Sequence, residues 1–380
     1  METRDVRAPD QRKAMSSAPD IAVEVIDLAK SYGPVTAVKS VNLTIESGQY
    51  FALLGPSGSG KTTLLRLIGG FIKPTEGRVL LHGQDVTELP PNHRPTSMVF
   101  QSYALFPHMS VERNVGYGLI LLKLPKHDIR EKVEWMLDLV GLAGYNKRMP
   151  HELSGGQQQR VQLARSLVLD RDILLLDEPL ASLDAKLLKD MCLELKRIQA
   201  KVGITFIHVT HNQQEAMTVA DRIAIIADGE LVEEGTPRDM YERPVRRFTA
   251  EFIGENNLLD GRVASVNADR VTVDLGFAEI VVEAHGASVV AGANVCVSIR
   301  SELMQIVEPG HTVDGTMQTI PGSYLDTVYL GLTTSHLVSL PNGLELAVRR
   351  ISEGRTSAGF VPGQELKIGW NTADARLHTS

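Results

Sequence analysis

The stretch GPSGSGKT, Gly55 to Thr62, decides how the rest of the chain is interpreted. It fits the pattern Gly-x4-Gly-Lys-[Ser/Thr] of a phosphate-binding loop in full. Glycines let consecutive backbone N–H groups face phosphate oxygens, the lysine brings a cation to the β and γ phosphates, and the hydroxyl after it can bind Mg²⁺. The stretch therefore predicts a site for a nucleoside triphosphate with Mg²⁺. The residues expected to contact the nucleotide are Gly55, Pro56, Ser57, Gly58, Ser59, Gly60, Lys61, Thr62 and Thr63.

The segments on either side of this loop fit the same interpretation. Tyr50 to Leu54 form an apolar run suited to a buried parallel strand. Thr62 to Ile68 have the character of a helix that stops at Gly69 and Gly70. A strand, a glycine-rich loop and a helix N-terminus together make an anion site. The alternative is an ordinary turn rich in glycine and serine.

Length and composition bound the class of protein. With 380 residues, 43% of them hydrophobic, the chain is too long for one ordinary core, and two domains are expected. A net charge of −7 shows no basic excess, so nucleic acid is not expected as a partner. Cys192 and Cys296 match neither a metal spacing nor a disulfide framework. No apolar stretch approaches the roughly 20 residues of a membrane span, and residues 1–20 are predicted to form a disordered tail.

The pattern of the sequence changes once along the chain. Residues 21–251 predict an α/β nucleotide-binding domain with an antiparallel β lead-in and a helical subdomain at about 102–168. Residues 252–380 consist of short alternating segments separated by glycine, proline and asparagine. They predict a small all-β domain of barrel or OB-like kind.

Four apolar strands of the first domain end at residues with functional chemistry. Leu54 precedes the phosphate-binding loop, and the other three strands lead into Gln101, into Asp177 with Glu178, and into His211. In open α/β sheets, ligands bind outside the carboxyl ends of the strands. All four strand ends are therefore expected to face one bound nucleotide.

The adjacent carboxylates of Asp177 and Glu178 suggest two different chemical roles. Side chains of neighbouring strand residues point in different directions, so Asp177 and Glu178 cannot both serve the same atom. One can hold the Mg²⁺ shell, and the other can act as general base toward an attacking water. Gln101 could bridge metal and water, and His211 could bond the γ-phosphate.

The stretch LSGGQQQR, Leu153 to Arg160, needs a separate explanation. Ser154 and Gln157 have the spacing of a helix capping box, which is the simplest interpretation. A capping box does not explain Gly155 and Gly156, because each glycine in a first turn costs roughly 0.5–1 kcal/mol of helix stability relative to alanine. The glycines predict that something approaches this backbone closely, and a phosphate at a positive helix end fits.

Together these motifs resemble those of the ATP-binding-cassette (ABC) ATPases, over roughly Ile21 to Gly235. The resemblance is carried, in chain order, by the phosphate-binding loop, Gln101, LSGGQ at Leu153 to Gln157, the strand ending in Asp177 and Glu178, Ser182 to Asp184, and His211. It implies a P-loop NTPase fold with a RecA-like core. It also implies that ATP and Mg²⁺ are the ligands.

The resemblance further implies a head-to-tail homodimer. Ser154 to Gln157 of one subunit would close on the γ-phosphate held by Lys61 of the other. Tyr32 would stack on adenine, and Asp184 would couple the two sites across the dimer.

The same resemblance implies roles at the strand ends. Glu178 would be the catalytic base with His211 as its partner, and Gln101 would contact both water and metal. Asp177 and Thr62 would hold Mg²⁺ together with Gln101.

Two segments narrow the resemblance within the ABC ATPases. Val99 to Val115 and Phe252 to Val263 are similar to the ATPase subunits of binding-protein-dependent importers that carry a C-terminal domain called TOBE, and most of all to the polyamine (spermidine/putrescine) branch. Importers of iron(III), sugars and phosphonates share much of this. The sequence departs from the pattern in having Asn212 where an acidic residue is common, Ala181 and Ser182 in inverted order, and Ser301 in place of a proline.

The importer resemblance implies partners and a location. Two membrane permease subunits would bind the ATPases, with Tyr103 to Met109 forming the groove for a short permease helix, and a solute-binding protein would act through the permease. The protein would lie peripherally on the cytoplasmic face of the inner membrane. The alternatives are a soluble ABC ATPase acting on nucleic acid or ribosomes, and a C-terminal domain that senses a small ligand.

Overall fold

The computed structural model describes residues 20–101, 104–181, 183–286, 288–307, 317–352 and 359–379. The tail predicted over residues 1–20 lies outside these ranges except for Asp20. The chain forms two compact units that divide between Pro237 and Arg238. No helix among the described residues is long and apolar enough to cross a membrane.

The first unit contains two sheets and six helices within its described residues. Its strands are β1 (Ile21–Tyr32), β2 (Val35–Glu46), β3 (Tyr50–Leu54), β4 (Glu76–Leu81), β5 (Gln84–Asp85), β6 (Thr96–Val99), β7 (Ile173–Asp177), β8 (Thr205–Thr210), β9 (Arg222–Ala227) and β10 (Glu230–Gly235). Its helices are α1 (Lys61–Ile68), α2 (Val111–Leu121), α3 (Lys126–Leu139), α4 (Gly155–Leu167), α5 (Ala185–Val202) and α6 (Gln213–Val219). The α/β fold class predicted from the sequence is confirmed.

The central sheet has the order β10-β9-β3-β8-β7-β6. Its strands are parallel except for β10, which pairs antiparallel with β9. Every residue of β3, β7 and β8 is buried. This continuous burial is expected of parallel strands covered on both faces, and it explains why these strands are apolar runs rather than alternating patterns. The carboxyl ends of β3, β6, β7 and β8 therefore meet at one edge.

The antiparallel lead-in forms the second sheet, in the order β2-β1-β4-β5. Its strands alternate between buried and exposed residues because only one face is covered. The covered face packs with residues of α1, including Leu64, Leu65 and Ile68, and with Phe51 and Leu53 of β3. The helix that follows the phosphate-binding loop thus lies in a core shared by the two sheets.

The helical subdomain expected at about 102–168 begins with two separate helices. Helix α2 ends at Leu121 and α3 begins at Lys126, immediately after Pro125. Pro125 is the N-cap of α3, where the missing N–H of proline leaves no helical hydrogen bond unmade. The apolar faces of α2, α3 and α4 share one core with residues of β6, β7 and α5.

Two buried polar side chains that the sequence analysis did not single out fix parts of this unit. Arg94, only 1% exposed, donates to the carbonyl oxygens of Leu67 and Ile68 at the C-terminal end of α1. Asn114 in α2 is fully buried and exchanges two hydrogen bonds with the backbone of Phe106. Both residues satisfy backbone groups that a helix end or a loop would otherwise leave unpaired.

The second unit is built mainly of β-strands, as the sequence predicted. Its elements are α7 (Pro237–Glu242), which spans the division, α8 (Arg247–Phe252), β11 (Asn256–Asn267), β12 (Arg270–Asp274), β13 (Glu279–Glu283), β14 (Asn294–Arg300), β15 (Gln305–Val307), β16 (Met317–Tyr329), β17 (Thr333–Ser339), β18 (Glu345–Ile351), β19 (Glu365–Asn371) and β20 (Ala375–His378). Two five-stranded antiparallel sheets have the orders β13-β12-β11-β14-β20 and β15-β19-β16-β17-β18. Apolar side chains from both sheets form one core.

The division of the units falls earlier than the boundary expected at 251/252, so α8 belongs to the second unit. The guanidinium of Arg300 in β14, 5% exposed, donates to the backbone oxygens of Tyr241 and Ile253. It also lies 3.9 Å from the centre of the Tyr241 ring. The backbone N–H of Ser301 donates to Glu255 O, a bond that a proline could not make.

We expect both cysteine thiols to be unreactive in the folded protein. Burial raises the pKa of Cys192, with the charge of Glu215 adding to the effect, and burial likewise raises the pKa of Cys296, each to about 12. The thiolate is the reactive form, and at pH 8 almost none is present at such pKa values. Titration with a chromogenic disulfide reagent at pH 8 should show no reaction until denaturant is added, when both thiols should react. Prompt reaction of either thiol in the native protein would contradict the burial described here.

Candidate nucleotide site

The phosphate-binding loop requires glycine at two positions at least. Gly55 and Gly60 have φ of +157° and +99°, which side-chain-bearing residues rarely adopt. A Cβ on Gly55 would lie 2.0 Å from Ile226 O, and one on Gly60 would lie 2.3 Å from Ala37 O. Both neighbours are backbone atoms that cannot move aside. The glycines therefore let the loop pack closely between its supporting strands.

Lys61, the first residue of α1, is held inside the loop. Its Nζ donates to Gly55 O at 2.9 Å, to Pro56 O at 2.6 Å and to Ser59 Oγ at 3.3 Å. Only 4% of the side chain is exposed. Burial lowers the pKa of Lys61, while the carboxylates of Glu178 and Asp177 act in the opposite direction. The three oxygens fix a cation where a phosphate-binding loop needs one.

Thr62 and Asp177 join the loop to the end of β7. Thr62 Oγ1 donates to Asp177 Oδ1 at 2.9 Å, and Arg66 Nη2 lies 3.5 Å from Asp177 Oδ2. Hydroxyl and carboxylate oxygens are ligands that Mg²⁺ accepts. Among the described residues no group of three or more His, Cys, Asp or Glu side chains could hold a metal. The donor set fits Mg²⁺, which is commonly bound by one or two protein oxygens together with substrate phosphates.

Glu178 is the point where three strand ends meet. Its Oε2 accepts from Gln101 Nε2 at 3.2 Å, and its Oε1 lies 3.4 Å from His211 Nδ1. Its backbone N–H donates to Val209 O, and its φ is +45°. A glutamate in this left-handed conformation stores backbone strain of about 1–3 kcal/mol. Strain of this kind is typical of functional sites, where the backbone must place a side chain in one orientation. The structure thus brings Gln101, Glu178 and His211 together, as the sequence predicted.

The capping box at the start of α4 is present. Ser154 Oγ accepts from Gln157 N at 3.4 Å, and Gln157 Oε1 accepts from Ser154 N at 3.0 Å. A Cβ on Gly156 would make only ordinary contact with Leu187, at 3.6 Å. Packing within the described residues therefore does not require glycine at this position, and the close approach of a phosphate stays a prediction.

Helix α4 is also attached to the end of β6, a connection that the sequence analysis missed. Gln162 Nε2 donates to Phe100 O at 2.9 Å, and Ser166 Oγ donates to Met98 O at 3.3 Å. The Phe100 carbonyl lies immediately before Gln101, and the Met98 carbonyl lies within β6. The spacing of Gln162 and Ser166 puts them on one helix face, but nothing local indicates which backbone they would contact.

Tyr32 and Asp184, two further residues predicted for the site, each make contacts within the chain. Tyr32 lies at the end of β1 with half of its surface exposed, and Lys30 Nζ is 5.1 Å from its ring centre. Asp184 caps α5 by accepting from the backbone N–H groups of Lys186 and Leu187. An exposed aromatic is available to stack on a ligand. Ser182 and Tyr103 lie outside the described residues.

Asn212, one of the departures from the family pattern, acts as the N-cap of α6. Its Oδ1 accepts from Gln214 N at 2.8 Å and from Glu215 N at 3.3 Å. Asparagine and aspartate cap helices about equally well. The substitution therefore keeps the helix start that follows His211.

A solved structure shares this arrangement of elements. The structure of cbiO1 from Clostridium perfringens, described as part of the ABC transporter complex cbiONQ, matches with a TM-score of 0.56 and 30% sequence identity. The match covers 59% of this chain and 92% of that chain.

Two family descriptions match the sequence: ABC transporter over residues 38–181, and TOBE domain over residues 297–377. The fold, the loop and these matches define an ATPase of the ABC transporter class. The spermidine/putrescine import ATP-binding protein PotA of Rubrobacter xylanophilus is 42% identical over 97% of this chain and 96% of its own, and the PotA of Roseobacter denitrificans is 45% identical over 94% and 97%. The chain therefore belongs to the family of these import ATP-binding proteins.

Membership of this family establishes the general activity. The protein is an ATP-binding subunit of an ABC transporter and an ATPase coupled to transmembrane transport. Its class works with membrane permease subunits.

Proposed function

We propose that this protein hydrolyses ATP to drive the import of polyamines, with spermidine and putrescine as the solutes. The observation that carries the choice of solute is the likeness to relatives named for that solute, at 42% and 45% identity over nearly the whole of each chain. A likeness that extends through both units favours a shared transport system over a shared ATPase core alone.

ATP binds at the loop with its phosphates along residues 55–63. The ammonium of Lys61, already held by loop oxygens, neutralises charge on the β and γ phosphates. The exposed ring of Tyr32 stacks on adenine. Thr62, Asp177 and the amide oxygen of Gln101 would hold Mg²⁺, which when bound neutralises charge on the phosphates.

Hydrolysis uses the residues that meet at Glu178. The carboxylate of Glu178 takes a proton from a water molecule, whose oxygen attacks the γ-phosphorus. A new P–O bond forms as the bond from the γ-phosphorus to the bridging oxygen breaks, and ADP and phosphate leave. Gln101 and His211 each contact one carboxylate oxygen of Glu178, and together they hold the carboxylate in its orientation. His211 also donates to the γ-phosphate.

The active form is a head-to-tail homodimer. Ser154, Gly155, Gly156 and Gln157 of one copy close on the γ-phosphate bound by the other. The start of α4 suits this role because a helix N-terminus attracts anions. Gly156 also leaves the backbone there open, although packing within the chain does not require a glycine at this position. Asp184, at the start of α5, couples the two sites.

Two permease subunits and a solute-binding protein complete the transporter, with the ATPase dimer peripheral on the cytoplasmic face of the inner membrane. The loop after Gln101 would receive a permease helix. In the described part of this loop, Asn114 fixes the backbone of Phe106, Met109 and Ser110, so the surface is preformed. ATP binding closes the dimer, hydrolysis removes the bridging γ-phosphate, and opening moves the permease.

Uptake of labelled spermidine and putrescine tests the solute. Cells lacking this gene should lose uptake and regain it with the parent gene. They should not regain it with Glu178→Gln, which keeps the protein present but removes the base. Purified transporter in vesicles should couple ATP hydrolysis to polyamine uptake.

A negative result would redirect the search. Unchanged polyamine uptake in the deleted strain, together with no polyamine transport by the reconstituted complex, would reject polyamines as the solute. Ferric iron, phosphonates and sugars would then be tested in the same vesicles.

A further inference from the structure

A buried polar cluster lies behind the nucleotide site, and hydrolysis as proposed does not use it. The Tyr50 hydroxyl in β3 is 2.9 Å from His208 Nδ1 in β8. His208 Nε2 is 3.3 Å from Glu215 Oε2 in α6. Tyr50 and His208 are fully buried and Glu215 is 3% exposed.

The direction of the hydrogens in this cluster follows from the acceptors. In the tautomer in which His208 Nδ1 accepts from the Tyr50 hydroxyl, Nε2 carries the ring hydrogen and faces Glu215 Oε2. The Nε2–Oε2 pair is at ion-pair distance without standard hydrogen-bond geometry, and Nε2 has no other partner among the described residues. Burial raises the pKa of Tyr50 well above its usual value, so its hydroxyl is protonated and donates to Nδ1.

Stability alone does not account for such a cluster. Replacing both partners of a buried polar contact by apolar groups of the same shape can be nearly neutral or stabilising. The surroundings of the cluster hold it in place: Asp221 Oδ2 accepts from Tyr50 N, and Lys196 Nζ lies 5.5 Å from the Tyr50 ring centre while pairing with Asp221. The thiol of Cys192 also lies near Tyr50 and Glu215, and it is protonated because burial raises its pKa to about 12.

Two members of the cluster lie on either side of His211 in the sequence. His208 precedes it in β8 and Glu215 follows it in α6, so their contact closes the turn that carries His211. Within the turn, Asn212 N donates to Thr210 Oγ1 at 2.9 Å, and Asn212 caps α6. The side chain of His211 is half exposed and is 3.4 Å from Glu178 Oε1. The turn carries the backbone of His211, so its conformation sets where the imidazole lies relative to Glu178.

We propose that Tyr50, His208 and Glu215 are positioning residues that hold His211 against Glu178 through the turn between β8 and α6. The proposal rests on the hydrolysis site described above. It predicts that Glu215 acts on hydrolysis only through His211.

A double-mutant cycle on the full-length protein tests this dependence. Single-turnover ATP hydrolysis, which resolves slow rates, is measured for Glu215→Ala, His211→Ala and the double variant. Binding of a non-hydrolysable ATP analogue is measured in parallel. Glu215→Ala should lower the rate by about tenfold to a hundredfold, the loss typical of a misplacement of about 1 Å, with analogue affinity within about twofold of the parent. In the His211→Ala background the same change should cost less than about twofold.

Conservative and control variants separate positioning from general damage. Glu215→Gln keeps the side-chain shape and an acceptor, so it should retain more activity than Glu215→Ala. Gln214→Ala changes an exposed neighbour on the same helix and should match the parent. If Glu215→Ala does not fold, Tyr50→Phe replaces it in the cycle, because it removes only the hydroxyl that contacts His208.

Independent, multiplying effects of the Glu215 and His211 changes would overturn the proposal, as would parent-like hydrolysis by both Glu215→Ala and Tyr50→Phe. A parent-like rate in Glu178→Gln would instead show that the hydrolysis site itself is wrongly assigned. The two failures are therefore distinguishable in one set of assays.

Discussion

Changing Glu178 to glutamine should slow ATP hydrolysis by roughly 10²- to 10⁴-fold, the usual contribution of a general base, while ATP stays bound. Glutamine keeps the size of the side chain and can still contact Gln101 and His211, but it cannot take a proton from water. Because the γ-phosphate is then not removed, the closed dimer should accumulate. Phosphate release measures the rate, and size-exclusion chromatography with Mg²⁺ and ATP measures the dimer.

Glu76→Gln is the matched control for this change. It makes the same replacement at an exposed position of β4, so it should hydrolyse ATP at the parent rate and return to the parent's oligomeric state after turnover. A Glu178→Gln protein that turns over like this control would remove Glu178 from the role of base.

Changing Lys61 to alanine should weaken ATP binding by about tenfold to a hundredfold, as expected when a hydrogen bond to a charged group worth about 1.5–3 kcal/mol is lost. The effect should be on affinity, in contrast to that of Glu178→Gln, because Lys61 contacts bound phosphates before any chemistry. The Kd for a fluorescent ATP analogue measures it by equilibrium titration.

Lys126→Ala supplies the comparison for the loss of one positive charge. Lys126 is exposed at the start of α3, so its removal should leave the Kd unchanged. Equal affinities for the Lys61→Ala, Lys126→Ala and parent proteins would mean that the phosphates bind elsewhere.

The sequence predicted those parts of the site that depend on local signals. The loop pattern, the apolar strands and the polar residue after each strand are short-range features, and parallel strand ends necessarily meet at one edge. That geometry is why Gln101, Glu178 and His211 are found together as expected. The capping box at Ser154 and Gln157 was also readable, because its two residues are three positions apart.

The features that the sequence did not predict depend on contacts between distant segments. Arg94 reaches the end of α1, and Gln162 reaches the end of β6, over separations of 26 and 62 residues. The earlier division of the units has the same origin, since Arg300 binds backbone oxygens of Tyr241 and Ile253. No local pattern specifies such partners.

The attachment of α4 to the end of β6 gives the two nucleotides of the proposed dimer a means of communication. Gln162 and Ser166 donate to the carbonyl oxygens of Phe100 and Met98, and Gln101, which we propose contacts the attacking water, directly follows Phe100. In the proposed dimer, the first turn of the same helix would face the nucleotide held by the other copy. In the proposed dimer, a shift of Gln101 when phosphate departs on one side would be passed along α4 to the nucleotide on the opposite side. The state of each ATP molecule would then influence the site that holds the other.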